Sequence, residues 1–480
     1  MIDHRPRVHL RPVAGWTNDP IGPVHWAGRT HLFHQVNPDG GYWDRPHWGH
    51  VSSDDLVRWR RHPLALSPDP DPDAADADGC FSGCVVVDGD EAVLVYTGVN
   101  GPAGPGQTQA SCLARSREPE LERWTKDPAN PVTVAPRGHD LTGFRDPFVW
   151  REDGRWWQLV GTGSAERGGA AWLFSSDDLT TWSDEGPALD AATLVTRDGL
   201  QTWTGSMWEC PALVRTPQGD ALILSVHDGV TTHHPIAVLG TFTGGRFVGR
   251  RIQRLDLGPD VYAPCLYTAP DGRLIIWGWS WEATTAARQR TQGWAGMLTL
   301  PRELTVDADR VAVRPIEEFT GLRGDELSVE RLATPGGWLT GAELARAGNV
   351  VDLEVALGPA AEVVSLRLCR APDLQEYTTL EVDRHRGELW LDRAASSLDP
   401  DAGVGRVGGA IHPSPGRELR LRIVIDRSIV EVFVDDRISL TARIYPTRAD
   451  STGIEVVGSP TAVADVELQA WNLDSIWSAS

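Results

Sequence analysis

The sequence predicts an all-β chain, a five-bladed β-propeller followed by a C-terminal β-sandwich. Three observations carry this. A short segment ending in Pro or Gly heads a β-hairpin five times between Gly15 and Tyr267. A second motif, closing on Trp, recurs between the hairpins. Neither helical heptads nor strand–helix alternation appears, which excludes bundles and βαβ folds.

The first strand head is Gly15-Trp16-Thr17-Asn18-Asp19-Pro20, leading into Val24-His25-Trp26. Phe81-Ser82-Gly83-Cys84 leads into Val85-Val86-Val87. Phe144-Arg145-Asp146-Pro147 leads into Phe148-Val149-Trp150. Trp208-Glu209-Cys210-Pro211 leads into Ala212-Leu213-Val214, and Val261-Tyr262-Ala263-Pro264 into Cys265-Leu266-Tyr267. Each head opens a hairpin. The turns are expected at Ala27-Gly28, Asp88-Gly89-Asp90, Asp153-Gly154, Gln218-Gly219-Asp220 and Asp271-Gly272. Gly in such turns supplies the positive φ that tight hairpins need.

The second motif is Ser52-Ser53-Asp54-Asp55-Leu56-Val57-Arg58-Trp59, repeated as Ser175-Ser176-Asp177-Asp178-Leu179-Thr180-Thr181-Trp182. A looser copy runs from Ser116 to Trp124. The spacing of about 60 residues is somewhat longer than the usual blade period. Each copy is expected to join two outer strands and to pack its Trp on the next blade. Five similar units with special residues at one strand end favour radial closure over a sandwich of hairpins.

The pattern changes after Leu300-Pro301-Arg302-Glu303-Leu304. A short linker helix is expected within Val313–Leu322. From about Leu327 the chain is again strand, as in Val350–Val355 and Leu419–Ile425. Val430-Glu431-Val432-Phe433-Val434 alternates as a half-buried strand should. The expected division is a propeller at 1–313, a linker at 314–326 and a sandwich at 327–480.

The formal charge of −21 speaks against nucleic acid and against a polybasic membrane contact. No run approaches the roughly 20 apolar residues of a membrane span. Met1-Ile2-Asp3-His4-Arg5-Pro6 has no apolar signal region, so a cytoplasmic location is expected. The six cysteines show no paired spacing and read as reduced thiols. Oligomeric state is left open.

Three of the five heads carry an acid: Asp19, Asp146 and Glu209. An isolated Asp-Pro is more often only a turn. In a propeller, however, equivalent strand heads converge on one channel mouth. Carboxylates crowded there repel one another, so at least one is expected to hold its proton. One ionised and one protonated carboxyl is the pair that glycoside hydrolysis uses. A calcium site is the competing reading, but no Asp-x-Asp-x-Asp loop is present, and no metal or cofactor is expected. His25, His31, His34, His47, His50 and His62 lack metal-ligand spacing and read as packing residues. Among the 21 tryptophans, Trp43 and Trp48 are placed in the loop after the first hairpin, where an aromatic face can stack on sugar.

These segments, together with Phe33-His34-Gln35-Val36-Asn37-Pro38, Trp48-Gly49-His50 and Pro301-Arg302-Glu303-Leu304, resemble glycoside hydrolase family 32. That family contains invertases, inulinases, levanases and related β-fructofuranosidases. Ile425-Asp426-Arg427-Ser428-Ile429-Val430-Glu431-Val432-Phe433 resembles its sandwich signature, so the likeness spans nearly the whole chain. It implies a propeller and sandwich, and retaining hydrolysis of terminal β-D-fructosyl residues in sucrose and short fructo-oligosaccharides. By the same resemblance Asp19 is the nucleophile and Glu209 the acid and then base. Asp146, with Arg145, holds fructose hydroxyls and stabilises the transition state. Asn18, Gln35, Trp43, Phe81 and Ser82 match positions lining the fructosyl subsite, with Tyr262 and Trp279 matching more loosely. Three positions depart from the pattern. Ile21 stands where Asn is usual, Ala212 where many members have an acid, and Cys84 where Ser is common. The alternatives are a fructosyltransferase, a fructan exohydrolase, a silent fructan-binding protein, and an arabinan- or xylan-active hydrolase.

Overall fold

The computed structural model describes residues 3–104, 106–194, 203–327, 338–339 and 348–477. Five antiparallel sheets follow one another along the chain. Their innermost strands are Gly15–Trp26, Gly79–Asp88, Phe144–Glu152, Met207–Thr216 and Tyr262–Thr268. Each touches the next, and the fifth touches the first, so the ring is closed. Trp294–Ala295, returning after the fifth hairpin, adds a parallel partner at the inner edge of the first strand.

The Trp-ending motifs do connect outer strands, for example Gly168–Ser176 to Trp182–Asp190. Their tryptophans pack on the preceding blade, not the next. Trp59 of blade 1 meets Trp277 of blade 5 edge-on, with centroids 6.4 Å apart. Trp124 of blade 2 meets Phe33 of blade 1, and Trp182 of blade 3 packs against the cluster holding Val93 and Val95 of blade 2. The turn itself explains the reach. Asp178 accepts from the N–H groups of Thr180 and Thr181, and Leu179 sits at φ 66°. The tight turn brings the indole N–H back onto the Leu179 carbonyl at 2.7 Å.

The linker helix is shorter and tighter than the sequence suggests. Val311–Pro315 is the outer strand of blade 5, paired with Arg302–Val306, and only Glu317–Leu322 winds, as a 3-10 helix. Pro315 carries no N–H for a helix ladder but is tolerated on a sheet edge.

Two six-stranded sheets form the sandwich. The alternation over 430–434 predicts a half-buried strand, yet all six residues of Ile429–Val434 are buried. Val430, Val432 and Val434 enter the sandwich core. Phe433 enters the cluster shared with the propeller, while Glu431 meets His9 and Arg302. The alternation therefore reads two interfaces, one apolar and one mixed, and not a core face and a water face. The chain ends clamp this junction: the N–H groups of Arg7, Val8 and His9 donate to Asp426, and Ile476 packs beside Trp59.

Candidate active site

Every innermost strand carries a register irregularity near its head. It falls between Thr17 and Pro20, Phe81 and Gly83, Arg145 and Phe148, Glu209 and Ala212, and Tyr262 and Cys265. A bulge re-aims side chains and increases local twist. In blades 3, 4 and 5 the residue before the proline takes a left-handed conformation, with φ 63° at Asp146, 48° at Cys210 and 47° at Ala263. A proline disfavours the right-handed helical region for its predecessor, and side chains with Cβ rarely accept positive φ. Such strain gathers at functional sites.

The bulges also correct the idea that the three acids are equivalent. Counted from the following proline, Asp19, Asp146, Cys210 and Ala263 share one position. Glu209 stands one residue earlier, in line with Arg145 and Tyr262. The acids converge nonetheless. Cys210 Sγ lies 3.8 Å from Asp19 Oδ2 and 3.6 Å from Asp146 Oδ2. All three carboxylates line one cleft of about 1580 Å³.

Asp19 is held by a closed circuit. Asn18 Nδ2 donates to Asp19 Oδ1 at 3.0 Å and to Gln35 Oε1 at 2.9 Å. Gln35 Nε2 donates to Ser82 Oγ at 2.5 Å, and Ser82 Oγ donates to Asp19 Oδ2 at 2.5 Å. Asp146 is buried, and its Oδ2 accepts the Cys210 N–H at 3.0 Å. Glu209 is gripped at both oxygens. Arg145 Nε donates to Oε1 at 2.7 Å, and the Tyr262 hydroxyl donates to Oε2 at 2.6 Å.

Burial is the largest influence on the acids, and their charges decide the order. Asp19 is pushed up to about 6 by burial, opposed by the Ser82 hydrogen bond and reinforced by Glu209. Asp146 is pushed up to about 7 by burial and by Glu209, against the pull of Arg145. Burial acts upward on Glu209 too, but Arg145 leads the opposing interactions and holds it below the usual range. Burial and crowding thus raise Asp19 and Asp146, while Arg145 and the Tyr262 hydroxyl lower Glu209.

Of the residues expected around the sugar, Asn18, Gln35, Trp43, Phe81, Arg145, Tyr262 and Trp279 line the cleft. Ser82 does not. It is 1% exposed, lines the small central cavity behind the acids and braces Asp19. Trp43 is 46% exposed and meets Phe81 edge-on at 5.7 Å. Trp48 is not in a loop: it lies in His47–Ser53, fully buried, with its N–H on the Phe81 carbonyl. The three departures, Ile21, Cys84 and Ala212, line the central cavity of about 70 Å³ and not the cleft.

Sequence reasoning missed Trp16, Gln109 and His227 on the cleft wall. Trp16 had a signal. It stands two residues before Asn18, hence on the same strand face, and its N–H donates to Asn18 Oδ1 at 3.0 Å. Gln109 had none. It sits on the third strand of blade 2 and reaches the site across the boundary with blade 3, where its Oε1 accepts from Arg145 Nη1 and the Phe144 N–H.

A closed propeller with an attached sandwich, and carboxylates crowded at one channel mouth beside a guanidinium, define a glycoside hydrolase. The chain belongs to glycosyl hydrolases family 32: its N-terminal domain model matches residues 9–315 and its C-terminal model residues 322–472. The chain is 32% identical to a sucrose-6-phosphate hydrolase of Escherichia coli, over 92% of this chain and 89% of that protein. It is 33% identical to a raffinose invertase of Escherichia coli, over 93% and 90%. Among solved structures, a β-fructofuranosidase of Bombyx mori superposes with a TM-score of 0.81 at 26% identity, over 99% and 95% of the two chains. This protein is accordingly an enzyme acting on fructosides.

Proposed function

We propose that this enzyme is a retaining β-fructofuranosidase that releases terminal β-D-fructosyl units from sucrose and short fructo-oligosaccharides. The observation that carries it is the meeting of Asp19, Asp146 and Glu209 at the cleft floor, with Arg145 against Glu209. Asp19 attacks the anomeric carbon and forms a fructosyl-enzyme ester as the glycosidic bond breaks. Glu209 gives its proton to the departing oxygen, then takes one from the water that cleaves the ester. Asn18 and Ser82 point Asp19 and favour its ionised form.

Arg145 holds Glu209 ionised in the free site, which is the wrong state for a proton donor. Fructosyl hydroxyls entering beside Asp146 draw Arg145 toward themselves. Loss of that cation raises Glu209, the direction a general acid requires. Gln35, Trp43, Phe81 and Trp279 enclose the fructosyl ring. Asp146 accepts its hydroxyls.

Relatives named for sucrose 6-phosphate and for raffinose support a small soluble fructoside as substrate. A cytoplasmic location goes with this reading, supported by the likeness to bacterial sucrose-6-phosphate hydrolases. The division we propose shifts the expected boundaries at 313 and 326: Val311–Pro315 completes blade 5 and Arg323–Leu327 pairs with Val466–Leu473 in the sandwich, which leaves 316–322 as the linker. Product chromatography on sucrose, kestose, inulin and levan tests the assignment, with faster release per chain end expected from the two small sugars. NMR of the first product should show fructose with the substrate's anomeric configuration. Inverted product would rule out Asp19 as a covalent nucleophile.

A further inference from the structure

The cleft runs well past the three acids, over blade 2 and toward blade 3. Its far wall is built from segments near Asp73, Asn100, Gln107 and Asn130. The polar side chains there are almost all uncharged amides, and the loops hold them in place. Asn100 Nδ2 donates to the Pro72 and Ala74 carbonyls at 2.7 Å each. Gln107 Nε2 donates to the Gly101 carbonyl at 3.1 Å, and its Oε1 accepts from Gln109 at 3.0 Å. Among the described residues the one charged group on this wall is a carboxylate, Asp73.

The positive side of the balance is small. Among the described lining residues the guanidinium is that of Arg145, which stands beside the acids, 2.6 Å from Glu209, and not on the far wall. The imidazole is His227, which burial keeps below its ordinary value despite Glu209. Among the described residues the charge on the far wall is therefore that of Asp73, on a chain of net charge −21. A phosphate ester bound there would lose hydration and face this carboxylate. Among the described residues of the far wall no guanidinium offers it the arginine fork that phosphate sites use. A neutral sugar meets no such penalty, since amides and backbone groups serve hydroxyls as donors and acceptors.

We infer that the cleft selects fructosides whose leaving sugar is uncharged, with Asp73 acting against a phosphorylated one. This rests on the fructosidase reading above and sharpens it to one substrate class. The cause is electrostatic repulsion, so it has a salt dependence: added ions screen Asp73 and weaken the discrimination.

The test compares kcat/KM for sucrose with that for sucrose carrying a phosphate on the glucosyl C6, at low and at high ionic strength. At low salt, sucrose is expected to win by about tenfold or more. The gap should narrow in high salt, and narrow again at low salt in Asp73→Asn, which keeps the side-chain shape. Asp73→Lys should raise turnover of the phosphate ester selectively. A phosphate ester cleaved as fast as sucrose or faster overturns the inference and leaves the fructosidase reading standing. So does a preference for sucrose that responds neither to salt nor to the Asp73 variants, because its cause is then not charge. Release of fructose from neither substrate overturns the fructosidase reading itself, and the inference with it.

Discussion

Ser82 Oγ donates to Asp19 Oδ2 at 2.5 Å while accepting from Gln35 at the same distance, from a position buried behind the cleft. A buried hydroxyl thus tunes the carboxylate that faces it. The hydrogen bond lowers Asp19 against the upward push of burial. In Ser82→Ala, Asp19 should hold its proton to higher pH, and Gln35 should lose an acceptor. The acid limb of kcat/KM should move upward, with activity near pH 5 falling about tenfold or more while activity near pH 8 falls less. An unmoved acid limb would show that Ser82 serves packing alone.

Asp19 and Glu209 are separable by leaving group. Glu209→Gln keeps the shape and removes the proton, costing on the order of 10²–10⁴-fold on sucrose. A fructoside of an activated phenol departs unaided, so its first step should survive and give a burst of phenol. Asp19→Asn should disable both substrates, because no fructosyl-enzyme forms. Equal loss on both substrates in both variants, with no burst, would refute the separate roles.

Asp146 carries a stability cost with a definite pH sign. Its folded value of about 7 lies above the ordinary 3.8. The native state therefore binds more protons than the unfolded chain between those values, and stability falls as pH rises through that range. Asp146→Asn removes the cost and can still accept the Cys210 N–H through its amide oxygen. Its Tm gain over wild type should be near zero around pH 4 and greatest above about pH 7, while activity on sucrose drops sharply. A Tm gain independent of pH would deny that ionisation is the source.

Glu431 anchors the junction of propeller and sandwich. Its carboxylate takes the Leu300 N–H at 3.0 Å, Arg302 at 3.0 Å and His9 at 3.3 Å, all out of water. Glu431→Gln leaves two buried cationic groups poorly matched, a loss of about 3–5 kcal/mol when one partner of a buried pair is removed. Thermal unfolding should show a lowered Tm, with kcat on sucrose little changed below the transition. An unaltered Tm would mean Asp256 and Asp426 carry the pairing without it.

The alternation Val430-Glu431-Val432-Phe433-Val434 shows where sequence reading stops. Period two correctly identifies a strand with two unlike faces, because successive side chains must point to opposite sides. Whether the polar face meets water or an arginine from another domain depends on what packs there, and nothing within the segment encodes that. Trp48 errs in the same way: local context reads as a loop, while pairing with Phe33–Gln35 draws it into a buried strand.

The sequence by itself determined the repeat, the hairpin turns, the all-β class and which acids stand at the strand heads, because turn chemistry, strand period and strand-head motifs are local properties of the chain. Only the tertiary structure decided the rest. Bulges at the five strand heads bring Asp19 and Asp146 within reach of one thiol. Ser82 turns inward to Asp19, and Gln109 crosses from a third strand to reach Arg145. The order of protonation, with Asp146 raised and Glu209 lowered, follows from burial and from Arg145's place. Electrostatic energy depends on distances and solvent exclusion between groups far apart in the chain, and those quantities exist only once the ring of blades has closed.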